Sequence, residues 1–598
     1  MNDTRWKSCW EASPTIYNLL KENDTLEGAR DELKNYLETL DWKYRFNYKE
    51  IKSWNYILLK EAIRCLKNII SPRNERLAKS KALSFLWKAA HDGDSEVTDD
   101  FIMEFKHIFK ALFETSDVYP SWMMEKVESI NFSKLSGLEA GKTRSNFLDD
   151  MSVQMNQYMS RYKSGLNKEI IEERRKHKMQ ILDELGGSVD DWNNYQWQYK
   201  HVFKAEEDLE TIKKLIELTP EEERGIALAV ANDVPFGITP HYLHLMDPKP
   251  TDLDFAIRRQ VFPPLEYVKK MIQHKDDRSV FDFMREGDTS PEDHVTRRYP
   301  KVAILKPYDS CPQICTYCQR NWSIKSVFSP DALVQKEELE KAIDWFGEHD
   351  QIMDILITGG DPLVMSNTKI NHILKRLAEF KHIQNIRIAT RIPITVPQRL
   401  TDEICEIFGQ YYEPGDRTLC MVTHFEHPYE VTRDTAEAIK KVKKQGLHIY
   451  NQQVFTFANS RRFETNALRI ALKQIGVDPY YTFNAKGKGE LESYSVPVAR
   501  LLQERKEEAR LLPGVFRSDE PVFNVPRLGK NHLRAWQDHE MIGIMPDGRR
   551  VYSFHPWEKN IEQVQPYIYT DVSIYQYLQR LKARGENVDH YKSIWYYF

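Results

Sequence analysis

At 598 residues the chain exceeds what one hydrophobic core usually supports, and 41% hydrophobic, 29% charged and 12% aromatic residues form an ordinary globular composition. A formal charge of -4 excludes broad attraction to phosphate backbones, so nucleic acid is not expected as a partner. MNDTRWKSCWEASPTIYNLL lacks the apolar core of a secretory signal and no later run approaches the roughly 18 apolar residues of a membrane span, so a soluble, cytoplasmic protein with no membrane partner is expected.

From Trp54 to Ile70 apolar residues fall at helical spacing, and similar patterns recur at 99–113 and 145–162. SPRNERLAKSK and HDGDSEVTDD read as polar connections between them. Residues 1–165 are therefore expected to form an all-helical N-terminal domain, whose function the sequence does not show. Residues 166–295, with a break at GGSVDD (186–191), read as a helical segment leading into the next domain.

After about residue 300 short apolar runs alternate with helical stretches. The predicted strands are KVAIL (301–305), DILIT (354–358), IRIAT (386–390), TLCMVTHF (418–425), YNQQVFTF (450–457) and YYTFN (480–484). The predicted helices are 335–347, 369–379, 432–445 and 463–475, the last two stopped by Gly446 and Gly476. Six strand–helix units predict an α/β fold over 296–500: a parallel sheet curled by crossovers of one hand into a full or partial (β/α)6 barrel. Residues 501–598 follow as a C-terminal segment, and the loops after the strands should carry the chemistry.

Seven cysteines are few for this length, and three lie within eight residues. Cys9, Cys65, Cys405 and Cys420 are isolated and read as packed small hydrophobes. Cys311, Cys315 and Cys318, in SCPQICTYCQRNW, have the spacing Cys-x3-Cys-x2-Cys on the loop after the first strand. In a reducing compartment such a triplet favours a metal or cluster over disulfides. Thiolates are the soft ligands iron–sulfur clusters need, and three of them leave one iron of a four-iron cluster open to a chelating molecule. Zinc is the alternative metal, but it needs a fourth ligand, and the nearest upstream histidine is His294. One strand later, DILITGGDPL places Thr358, Gly359, Gly360 and Asp361 at a strand end; alone, this is an ordinary strand-terminating turn.

Together, the cysteine triplet and the Gly-Gly-Asp turn on an alternating α/β barrel resemble the radical S-adenosylmethionine superfamily. The resemblance implies the partial TIM-like barrel of that type and a [4Fe-4S] cluster whose open iron is chelated by S-adenosylmethionine. It also implies an electron donor such as flavodoxin or ferredoxin, and release of a 5′-deoxyadenosyl radical. The backbone and carboxylate of Gly359, Gly360 and Asp361 would receive the cofactor's amino group.

Further segments in order, DDWNNYQWQ, LTPEEERGI, ITPHYLHLMDP, RRYP, RIPITVPQRLT and THFEHPYEVT, resemble lysine 2,3-aminomutase and its relatives over roughly residues 190–555. This implies an isomerase that combines the adenosyl radical with pyridoxal phosphate and moves an amino group between C2 and C3 of an amino acid. His424 and Gln452 are similar to family positions near the adenosyl group, although each also reads as a core polar residue. Lys530, in PVFNVPRLGKNHL, matches the family's cofactor lysine on a turn that is shorter and poorer in glycine. Arg298 and Tyr299 match its phosphate-binding segment. A second family arginine falls on Val302, with Lys301 beside it as a substitute.

The family arginine for the substrate carboxylate is matched by Arg320, whose fork suits bidentate pairing. Lys486 and Asn524 stand where the lysine enzymes carry two aspartates for the substrate's ammonium. That exchange makes lysine a poor substrate, because like charges would meet in a desolvated site, and favours an acidic amino acid. The pair resembles the glutamate 2,3-aminomutase branch, so glutamate converted to β-glutamate is expected. Lys486 pointing to solvent from AKGKGE is the plainer reading, and a different amino acid, or an interaction protein retaining the cluster fold, are the rival functions. No cysteine follows Cys420, so the C-terminal zinc site of some lysine enzymes is absent and any homo-oligomer must use other contacts.

Overall fold

The computed structural model describes residues 5–46, 53–92, 96–113, 115–116, 118, 130, 134–485, 493–535, 537–556 and 564–598. Its contacts gather the chain into two compact units. One comprises Gln154–Ser495 and Glu508–Gly529, and the other Met1–Val153, Val496–Glu507 and Lys530–Phe598. Of the stretch 501–598, residues 508–529 therefore stay with the barrel strands, while 530–598 gather with the N-terminal helices.

The first unit holds the sheet. A short strand β1 (Val295–Arg297) pairs antiparallel with β2 (Val302–Tyr308). Then β3 (Asp354–Gly359), β4 (Asn385–Ala389), β5 (Thr418–Thr423), β6 (His448–Phe455), β7 (Asp478–Asn484) and β8 (Glu520–Val525) follow in chain order, each parallel to its neighbour. Consecutive parallel neighbours joined by helical crossovers curl a sheet one way, and the result is the expected partial barrel.

Five crossover helices, Lys336–Glu348, Asn367–Ala378, Asp402–Gly409, Arg433–Lys444 and Glu464–Ile475, cover one face. Register explains why that face is apolar. Leu305, Ile357, Ile388, Met421 and Ile449 stand side by side across β2 to β6, and all five are buried in one core with the crossover helices. The neighbouring row, Ile304, Leu356, Arg387, Cys420 and His448, points to the opposite, concave face. Arg433–Lys444 shows how the helices dock: the Thr432 hydroxyl accepts from the Thr435 amide at 3.1 Å, and Thr435, Ala438, Ile439 and Val442 are buried at i, i+3, i+4, i+7 spacing. Gly476 ends the last helix in a left-handed conformation at φ 84°, as expected.

In the second unit the described residues up to Val153 are helical wherever they are regular, as expected. Helices Ser53–Ile69, Pro72–Ala78 and Asp99–Leu112 pack with a three-stranded antiparallel sheet of His539–Ile544, Arg550–Phe554 and Tyr567–Thr570. Arg550 is buried against Glu104 at 2.9 Å and donates to the Trp595 carbonyl at 2.6 Å. Among the described residues no helix is long and apolar enough to cross a membrane.

Candidate active site

The chemistry-bearing residues of the first unit collect at the C-terminal ends of its parallel strands. The cysteine loop leaves β2 and is strapped down by the turn after β3. The Gly360 amide donates to the Tyr308 carbonyl at 2.6 Å and the Asp361 amide to the Ser310 carbonyl at 2.9 Å. Only glycine permits this approach: a Cβ on Gly360 would lie 2.0 Å from the Ser310 carbonyl oxygen, and Gly359 has a φ of 111°. The Asp361 carboxylate accepts from the Thr390 hydroxyl at 2.8 Å, the Arg391 amide at 2.8 Å and the Leu363 amide at 3.1 Å. Burial pushes its carboxyl up to about 6 against those bonds. The carboxylate is thus already engaged in bracing β3 against β4.

All three loop thiols are free of disulfides and half-buried. Cys311 and Cys318 lie beside an apolar collar of Val202, Ile314, Ile324 and Val327, while Cys315 borders Tyr317. Burial pushes the Cys311 and Cys315 thiols up. Among the described residues no three His, Cys, Asp or Glu side chains converge on one metal ion, which disfavours the zinc alternative. A cluster fits this arrangement better, because each thiolate binds its own iron. Cys318 Sγ accepts the Arg320 amide at 3.3 Å, and Cys315 Sγ receives Arg391 Nη1 at 2.7 Å.

His424, just past β5, and Gln452, within β6, come together. His424 is hydrogen-bonded to the Gln452 backbone, and burial, then Arg391, push its imidazole down to about 4, so it is neutral. Arg391 itself is a hub, with Nη2 donating to Gln260 Oε1 at 2.6 Å and to Glu430 Oε1 at 2.9 Å. Glu426, three residues past the end of β5, accepts from the Val454 amide at 2.6 Å and the Tyr317 hydroxyl at 3.1 Å.

A second cluster forms around Glu286. Its carboxylate pairs with Arg320 Nη1 at 2.6 Å and with Lys306 Nζ at 2.6 Å, and Lys306 also donates to the Thr296 hydroxyl at 3.0 Å. Burial alone would raise Glu286, but Arg320 and Lys306 outweigh it and hold the carboxyl at about 2. Arg320 Nε and Arg298 Nε and Nη2 are buried without a hydrogen-bond partner. The next residue, Tyr299, packs on Gly529, where a Cβ would lie 2.5 Å from the Tyr299 hydroxyl. Lys301 turns away and donates to Gln351 on the surface, so the cation that joins this cluster is Lys306, not Lys301. Asn524, on β8, donates to Gln319 Oε1 at 3.2 Å, which ties it to the residue before Arg320. Lys530 is half-buried, one peptide bond beyond Gly529, at the start of the last segment of the other unit. Lys486 lies outside the described residues.

The radical SAM superfamily profile matches residues 305–455, from within β2 to the end of β6. An uncharacterized KamA family protein of Methanocaldococcus jannaschii is 49% identical over 98% of this chain and 96% of its own length. This chain belongs to the KamA family of radical S-adenosylmethionine enzymes. Glutamate 2,3-aminomutase of Clostridioides difficile is 34% identical over 54% of this chain and 71% of its own, and L-lysine 2,3-aminomutase of Acetoanaerobium sticklandii is 31% identical over 52% and 71%. KamA membership implies a four-iron cluster and S-adenosylmethionine, and the strapped cysteine loop is the part of this KamA protein with the chemistry to hold them.

Among the residues of the candidate site that sequence reasoning did not single out are Glu286, Lys306, Gln319 and Arg391. Lys306 carried a signal, a charge inside the apolar strand KVAIL-KPY where only a paired group is tolerated. Arg391 stood at the end of a predicted strand, where loops carry chemistry. Glu286 and Gln319 carried none.

Proposed function

We propose that the protein is a radical S-adenosylmethionine and pyridoxal phosphate-dependent 2,3-aminomutase that converts glutamate to β-glutamate. Arg298 is the observation that carries the pyridoxal phosphate reading. Arg298 Nε and Nη2 are buried with no acceptor among the protein atoms, and a bound oxyanion would complete them. Phosphate is such an oxyanion, and Tyr299, the next residue in the chain, packs on Gly529.

In this reading Cys311, Cys315 and Cys318 hold the cluster, and Gly359, Gly360 and Asp361 shape the cofactor turn. His424 and Gln452 flank the adenosyl group, and the neutral imidazole can donate a hydrogen bond without adding charge. Arg298 and Tyr299 take the phosphate, and Lys530 carries the pyridoxal group. Arg320 offers its remaining donors to the substrate's α-carboxylate, with Glu286 fixing the guanidinium from behind. Pyridoxal phosphate, when bound, supplies a conjugated ring that spreads an unpaired electron and so eases migration of the amino group. Asn524, held by Gln319, replaces a carboxylate of the lysine enzymes with an amide, and Lys486 adds a cation. Both changes favour an acidic side chain over an ammonium.

The test is anaerobic reconstitution with iron, sulfide, S-adenosylmethionine, pyridoxal phosphate and 13C-labelled glutamate, followed by NMR. β-Glutamate is the expected product; isomerisation of lysine with glutamate untouched would sink the substrate reading. Arg298→Met should weaken pyridoxal phosphate binding by about 2 kcal/mol, roughly thirtyfold, while leaving binding of phosphate-free pyridoxal nearly unchanged. An equal loss for both ligands, or none for either, rules out the phosphate site.

A further inference from the structure

We propose that Arg391 tunes the reduction potential of the cluster held by the cysteine loop, by placing an N–H···S hydrogen bond and a positive charge on Cys315. The inference rests on the cluster reading above. Arg391 Nη1 lies 2.7 Å from Cys315 Sγ, and the rest of the guanidinium is pinned by groups that are not sulfur. Nη2 donates to Gln260 Oε1 at 2.6 Å and Glu430 Oε1 at 2.9 Å, and Nε donates to the His424 carbonyl at 3.1 Å. The Arg391 amide is held by Asp361 at 2.8 Å, which fixes the backbone from which the side chain departs. With the planar fork anchored on three protein acceptors, the fourth contact stays aimed at the cysteine sulfur.

Reduction moves one electron from an external low-potential donor onto the cluster, with no bond made or broken. The added negative charge is spread over iron and sulfur, so hydrogen bonds to ligand sulfur and nearby cations stabilise the reduced form and raise the potential. Glu430 acts in the opposite sense. Its carboxylate shares the guanidinium with Cys315 and accepts from the Tyr242 hydroxyl at 2.9 Å, so it partly neutralises Arg391. The two residues form a pair whose substitutions should shift the cluster in opposite directions.

The experiment is a redox titration of the reconstituted full chain followed by electron paramagnetic resonance. Arg391→Gln should lower the reduced-to-oxidised ratio at fixed potential about tenfold, equivalent to 59 mV for one electron. Arg391→Lys, which keeps the charge but loses the fork, should lower it less, and Glu430→Gln should raise it. Unchanged potentials in Arg391→Lys and Glu430→Gln, or shifts of the same sign, overturn the proposal. If Arg391→Gln assembles no cluster, those two variants decide it. Failure of the unaltered chain to assemble a cluster would instead strike the cluster reading itself.

Discussion

A methyl group on Gly360 would overlap the Ser310 carbonyl, one residue before Cys311. Gly360→Ala should therefore displace the cysteine loop while the distant core stays folded. The expected result is fewer irons per chain by metal analysis with little change in far-ultraviolet circular dichroism. Glu286 gives a second residue-scale prediction. Its folded carboxyl is held near 2 against 4.5 for the model compound, so its contribution is present above the unfolded value and lost as pH falls from about 4.5 through 2. The loss should reach about 3 kcal/mol and be read as a falling urea midpoint of the cofactor-free protein. Glu286→Gln should be weaker at neutral pH and flatter across that acid window. At this scale the cysteines and the Gly-Gly-Asp turn were legible because their meaning is local spacing. Arg391 and Glu286 were not, because the partners that define them lie 76 and 34 residues away.

Helix Arg433–Lys444 illustrates the element scale. Ile439 is fully buried against the sheet, and its neighbours on the same face share that core. Ile439→Ala should cost about 3 kcal/mol and lower the denaturation midpoint, since the helix-facing core cannot collapse around the lost side chain. The strands β3 to β7 announce themselves because runs such as DILIT and IRIAT are β-branched and bounded by turns. Among the elements absent from the sequence prediction are β1, β8 and helix Asp402–Gly409. VTR is too short to show a period, and EPVFNV contains Pro521 and is followed by Pro526, which argue against a strand. Their pairing with established neighbours, not their own composition, makes them regular.

At the scale of the molecule, both ends of the chain build one unit. Arg550, from the C-terminal sheet, is buried on Glu104 from an N-terminal helix, and the Trp595 carbonyl completes it. Arg550→Met should cost about 3–5 kcal/mol, because Glu104 would keep a buried charge without a partner. Differential scanning calorimetry should show a lower transition for this variant, and removing residues 1–153 should leave 530–598 without a folded core, seen as lost solubility.

By itself the sequence determined the parallel α/β sheet, the cysteine loop and the family, since periodicity, turn residues and short motifs are encoded within a few neighbouring positions. Only the tertiary structure decided that Lys306 joins Glu286, that Asp361 is engaged in bracing strands, and that Arg391 touches Cys315. These depend on which side chains from remote segments share a desolvated space, where an ion pair or an unmet hydrogen bond counts for several kcal/mol. A residue's own neighbours in the chain carry no record of that environment.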